Sequence, residues 1–188
     1  MKAYLDAIVD ELNINLAQAF AQYRTQINAL VKVVPMDLND TLLLQDSEGN
    51  RFAGVDDRYD LVVWHRADNT NFEVQDESFG DGVDDYNAIT DITLYCYSNS
   101  LPQVNAQKLA QQLQGALPSI INIANQNSMG IGSSIIELSS INYNSVEVFS
   151  QVYAGLPYNL RTTDNMVAVV YTVTSDINKS CFDRCFNC

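Results

Sequence analysis

The chain has 188 residues, 47% hydrophobic content and a formal net charge of −13, from 23 acidic against 10 basic side chains. That length and apolar content suit one domain with a proper core. The charge works against nucleic acid binding and against docking on an anionic membrane, and no apolar run approaches the roughly 20 residues of a membrane span. Lys2 is followed by Asp6, Asp10 and Glu11 rather than by an apolar signal core, so synthesis and residence in a cytosol, or release from one by lysis, are expected.

Leu5, Ile8, Val9, Leu12, Leu16, Ala19, Phe20, Tyr23, Ile27, Leu30, Val31 and Val34 step by three and four. This spacing predicts a long amphipathic helix that ends before Pro35, with a weak point at Asn13-Ile14-Asn15. About 30 helical residues span roughly 45 Å, more than a small sheet needs for cover. The surplus apolar stripe is expected to bury itself on a neighbouring subunit. Thr41–Leu44 and Tyr59–His65 read as short strands, separated by a turn at Asp46–Asn50. In the second, Leu61 and Val63 alternate with Val62 and Trp64, so both faces should be covered. From Arg66 to Tyr86 the chain is polar and acidic, and an extended loop or a mobile hairpin is expected there, anchored by Phe72, Val74 and Phe79.

The clearest unit runs from Ile89 to Leu117. Ile92, Leu94 and Cys96 alternate with Asp91, Thr93, Tyr95 and Tyr97, the period of a half-buried strand, which makes Cys96 a small core residue. Ser98-Asn99-Ser100 offers helix-capping oxygens and Pro102 suits a first turn. Ala106, Leu109, Ala110, Leu113, Ala116 and Leu117 then form one helical stripe. Pro118 is read as restarting a short helix through Ile120, Ile121, Ile123 and Ala124, and Asn125–Ser134 as loop. Ile135–Leu138, Val146–Tyr153 and Met166–Thr174 are read as strands, with turns at Gly155–Pro157 and Arg161–Asn165. The expected architecture is α+β: a long N-terminal helix and a mostly antiparallel sheet with amphipathic helices on one face. Residues 1–176 form the single domain, with a long acidic loop at 66–88, and residues 177–188 form a Cys-rich arm.

Several clusters carry residue types suited to chemistry. Cys181-x3-Cys185-x2-Cys188 has iron–sulfur spacing, but it stands at the end of the chain, with no barrel after it to house a radical cofactor. Zinc on these three thiolates needs a fourth ligand, from His65 or a neighbouring subunit. The preferred reading is an arm whose Phe182 and Phe186 dock on a neighbour, with no resident metal or cofactor. His65, the single histidine, follows Trp64 at a strand end and reads as structural rather than as part of a nucleophilic set. Asp76–Asp85 is rich in carboxylates but lacks the order of a calcium-binding loop, so it reads as a solvated acidic loop. Gly130-Ile-Gly132-Ser133-Ser134 has no lysine and no helix directly after it, and is read as loop rather than phosphate cradle. Ten tyrosines suit contact surfaces; Tyr95 and Tyr97 are the interface candidates among those near strands.

The order of elements resembles that of bacteriophage tail-terminator, tail-completion and head–tail connector proteins. Ile89–Ser98 followed by Asn105–Leu117 resembles their central strand–helix step, and Met166–Thr174 resembles the closing strand. The pattern covers about two thirds of the chain and contains no diagnostic motif. The acidic insert and the Cys-rich end depart from the compact members, and a neck ring of a short-tailed phage fits equally well. The resemblance implies a virion ring of six or twelve copies, assembled in the host cytoplasm beside portal, connector or tail proteins. Double-stranded DNA would pass through its lumen without specific binding, and net acidity agrees with such a lumen. Two other readings stand beside this one: a tail-fibre or baseplate adaptor module, and a metal-dependent enzyme using the acidic loop or the cysteines. The expectation is a structural, non-enzymatic subunit.

Overall fold

The fold is described from a computed structural model over residues 2–34, 43–45, 51–53, 60–74, 85–99, 101, 103–121, 131–155 and 159–178. The described elements run α1 (Lys2–Ile27), β1 (Val31–Val34), β2 (Leu43–Gln45), β3 (Arg51–Ala53), β4 (Leu61–Val74), β5 (Asp85–Ser98), α2 (Ala106–Gln114), β6 (Ile120–Ile121), β7 (Ile131–Asn142), α3 (Ser145–Val152) and β8 (Asn165–Asn178). Six strands form one sheet in the order β1-β4-β5-β8-β7-β6, while β2 and β3 pair separately. β1 joins β4 in parallel and every other pairing is antiparallel. The protein is thus α+β, with a mostly antiparallel sheet.

β5 is the spine of the sheet. It pairs along its whole length with β8, and with β4 from Tyr86 to Ser98. Its alternation divides two cores. Ile92, Leu94 and Cys96 face Ile8, Leu12, Leu16 and Phe20 of α1 and Leu109 and Leu113 of α2. Each large apolar side chain buried there stabilises the fold by about 1.5–3 kcal/mol. Tyr95 and Tyr97 face the other way, with Val62, Trp64, Met166 and Ala168, beneath Val148, Phe149 and Tyr153. The amphipathic helices α1 and α2 therefore cover one face, as the stripe spacing predicts. α3 covers part of the opposite face.

α1 is shorter than its periodicity predicts. It ends at Ile27, Asn28 takes a left-handed φ of 48°, and the Ala29 N–H closes the last turn on the Arg24 carbonyl. Val31 to Val34 form β1 instead. The run Val-Lys-Val-Val suits a strand, and pairing with β4 outweighs the helical spacing. Asp60 secures this switch: its carboxylate accepts from the Leu30 N–H at 2.7 Å, and its own N–H donates to the Leu30 carbonyl at 2.8 Å.

Other expectations change in the same physical way. Of the loop or hairpin expected at 66–88, the described residues form hairpin strands: β4 continues to Val74, and β5 starts at Asp85. Residues 75–84, with Asp76, Phe79 and Asp81, lie outside the described residues. α2 is capped by Asn105, whose side chain accepts from the Lys108 N–H at 2.9 Å, rather than by Ser98–Ser100. Val104 before the cap and Leu109 after it are both buried, as in a hydrophobic staple. Ile120 and Ile121 form a two-residue strand instead of a restarted helix, and β7 begins at Ile131 rather than Ile135. Val146–Tyr153, read as a strand, is helical through Val152. Asn144 caps that helix and Glu147 stands at its third position.

Candidate functional site

Three places could carry function: the buried polar groups, the cleft between α1 and α2, and the β6–β7 side of the sheet. The first polar group is His65. It lies in β4 directly after the stacked pair of Trp64 and Tyr95, whose ring centroids are 5.2 Å apart. The ring is 0% exposed and neither nitrogen has a hydrogen-bond partner. Burial lowers its pKa to about 4. An imidazole without a partner and closed off from solvent cannot pass a proton to a substrate. The structural reading of His65 fits this position.

The second group is Asp164, in the turn before β8. Its buried carboxylate accepts from the Tyr97 hydroxyl, from Arg161 Nε at 2.7 Å and from Thr163 Oγ1 at 3.1 Å. Arg161 also donates to Asn99 Oδ1 at 3.3 Å, just past the end of β5. Burial first, then the Asp164 carboxylate, pushes the Tyr97 hydroxyl above the usual phenol range. This set ties the 160–164 turn to the end of β5. Cys96 is fully buried and burial pushes its thiol up, so it does not present a thiolate nucleophile.

The cleft holds about 560 Å³ and is lined mainly by amides: Gln26, Asn28, Gln103, Gln111 and Gln112. The Gln103 amide donates to the Ile27 carbonyl at 2.9 Å, and Lys108 Nζ donates to the Gln103 carbonyl at 2.9 Å. Tyr23 also lines the cleft, and burial raises its hydroxyl pKa, with Cys96 adding to the rise. Among the described residues the lining contains no carboxylate, imidazole or thiol; its titratable side chains are Tyr23 and Lys108, set among hydrogen-bonding amides.

The third place is apolar. Among the described residues eight large hydrophobic side chains are exposed, and six of them gather at β6, β7 and the start of α3: Ile120, Ile135, Leu138, Ile141, Tyr143 and Val146. Val146 is 67% exposed and Tyr143 63%. Leu138 and Ile141 share one face of β7 and Ile135 lies on the other, so the exposed apolar groups flank the strand on both sides.

The residues singled out from sequence fall unevenly on these places. Tyr95 and Tyr97 are 7% and 3% exposed, and their side chains are used inside the subunit, so as an outer contact surface they are corrected. The alternation that marked them cannot say that α3 covers that face. Cys181, Phe182, Cys185, Phe186 and Cys188 lie outside the described residues. No group of three or more metal-binding side chains occurs among the described residues. Within Gly130–Ser134, the residues from Ile131 belong to β7, and Ser134 Oγ lies 2.7 Å from Ser175 Oγ of β8, a strand pairing rather than a loop. The sequence reading missed the exposed apolar edge altogether. Its one signal was Ile131–Val146, which carries Glu137 as its single charge in a strongly acidic chain.

This geometry defines an α+β protein with a two-sided core and an apolar sheet edge. No family model matches the chain, and no curated protein matches it. No helix among the described residues is long and apolar enough to cross a membrane.

Proposed function

We propose that the chain is a structural, non-enzymatic subunit of a ring at the head–tail junction of a bacteriophage virion, a tail terminator or a neck or connector ring. It joins the portal side to the tail and surrounds the DNA channel. The observation that carries this reading is the central step from β5 through the capped helix α2, closed by β8. That is the order on which the resemblance to head–tail connector proteins rests. The net charge of −13 supports it, because an acidic lumen repels phosphate and lets DNA slide. The apolar side chains left outside the fold support assembly with copies of the same chain.

Native mass spectrometry and negative-stain imaging of the purified protein test the proposal. Closed rings, or rings formed on adding a neck or tail partner, are expected. A strictly monomeric protein at high concentration that captures one protein partner would favour a fibre or baseplate adaptor instead. Stoichiometric bound metal, with an activity abolished by chelation, would favour an enzyme.

A further inference from the structure

From Glu137 to Asn142 the outer edge of β7 has no described strand beside it. β6 covers the strand only before this stretch: it pairs with Ser134 and Ile135, and the Ile136 N–H donates to the Ser119 carbonyl at 2.8 Å. At the other end β7 itself stops at Asn142. Every side chain from Glu137 to Ile141 is exposed, so the stretch faces solvent. An uncovered strand edge is a template for pairing with another chain.

The backbone of this edge has an unusual spacing. Alternate residues of an antiparallel strand turn N–H and C=O to the same side. Ile136 turns them outward, towards Ser119, and Leu138 follows it two residues on. A register shift then inserts one extra residue, so that Leu138 is level with Tyr171 and Ile141 with Val169. Tyr171 and Val169 are two apart on β8, which gives Ile141 the same phase as Leu138. Both residues therefore turn their backbone groups outward, three positions apart instead of two. A regular strand laid along this edge falls out of phase after its first pair, which is how a bulge blunts an edge. A second copy of β7 carries the same bulge and matches it.

An antiparallel pairing about a two-fold axis between Ser139 and Ser140 sets Leu138 of each copy opposite Ile141 of the other. The outward backbone groups of both residues then bond in both directions. Glu137 falls opposite Asn142. Asn142 Oδ1 accepts from the Asn144 N–H at 2.9 Å, which leaves its Nδ2 to donate to the Glu137 carboxylate of the second copy. The pairing fills the open stretch in both copies and ends where β6 begins. Leu138 and Ile141 lie level with Tyr171 and Val169 on the face that α1 and α2 cover, so the pairing joins their side chains from both copies into one apolar cluster. Copies of a chain with net charge −13 repel one another, and Ile131–Val146 carries only Glu137, so like-charged copies meet there at least cost.

We propose that two copies of this chain pair antiparallel through the outer edges of their β7 strands, with Leu138 of each opposite Ile141 of the other. The occupant of the edge is a second copy, because the bulge selects a strand with the same bulge. The contact is self-complementary, so two copies complete it. It describes the free protein and does not rest on the ring reading.

The test compares the sedimentation of the unaltered protein with that of Leu138→Glu/Ile141→Glu and of Ile14→Glu, an exposed apolar site on α1. Dimers are expected for the unaltered protein and for Ile14→Glu, and monomers with unchanged circular dichroism for the double variant. Hydrogen exchange on the unaltered protein does not depend on a variant folding. The amides of both Leu138 and Ile141 should exchange more slowly in the dimer than in protein dissociated by dilution. An unaltered protein that stays monomeric at high concentration overturns the pair, and so does a double variant that still dimerises. A dimer, or any larger assembly, that leaves both amides unprotected overturns it as well. Protection of Leu138 without Ile141 overturns the register. Rings that form on adding a neck or tail partner are decided separately by imaging.

Discussion

Acid should unfold this protein in part through one side chain. His65 is closed off in β4 with both ring nitrogens unpaired, and its pKa falls to about 4 because burial disfavours the cation. In the unfolded chain the same imidazole takes its proton near pH 6.5. Above about 6.5 neither state is charged and His65 contributes no pH dependence. As the pH falls from about 6.5 towards about 4, only the unfolded state binds the proton, and stability is lost. At about 1.4 kcal/mol per unit, the full loss is about 3 kcal/mol, and by about pH 5 it is about 2 kcal/mol. His65→Leu removes the titration at similar volume. It also removes a buried polar ring without partners, so it should be neutral or stabilising by about 1 kcal/mol near neutral pH. Urea unfolding of both proteins at about pH 7 and about pH 5 separates His65 from the carboxylates, which titrate in both. The unaltered protein should lose about 2 kcal/mol more than the variant across that interval. Equal losses would refute the reasoning.

Two further substitutions probe the polar anchors. Asp164→Ala removes the carboxylate that accepts from the buried Tyr97 hydroxyl and from Arg161; Arg161 keeps its bond to Asn99, and its side chain is 55% exposed and therefore adds little. A loss of about 2–3 kcal/mol is expected in denaturant unfolding, against about 1 kcal/mol for Tyr97→Phe; equal losses would mean that Asp164 is not the hub. Tyr171→Phe removes a hydroxyl that donates to the Leu113 and Gln114 carbonyls at 2.9 and 2.8 Å, at the end of α2. It should cost about 1 kcal/mol and speed hydrogen exchange in the last turn of α2, while leaving α1 unchanged.

Local rules read well where one residue pattern allows one structure. The alternation of Ile92, Leu94 and Cys96 marked a strand, and these three side chains do lie on a single inward face. The stripe from Leu109 to Leu113 marked α2. They failed where two patterns coincide. Val31–Val34 continues the helical spacing of α1 and is also a β-branched run. Val146–Tyr153, read as a strand, alternates only over Val146-Glu147-Val148, while Asn144 and Glu147 spell a helix start. The buried hub at Asp164 was not legible either, because Tyr97 lies 67 residues away in the chain.

Composition and periodicity alone determined the α+β class, the acidic character and the strand–helix centre, because these follow from spacing within a few neighbouring residues. Only the tertiary structure decided where α1 gives way to β1, that α3 covers the face carrying Tyr95 and Tyr97, and that Ile135, Leu138 and Ile141 of β7 stay exposed. Each of these depends on which distant segment lies alongside: pairing with β4 turns Val31–Val34 into strand, and packing of α3 buries the tyrosines. Spacing along a chain records what a segment can form, whereas burial is settled by its neighbours in space.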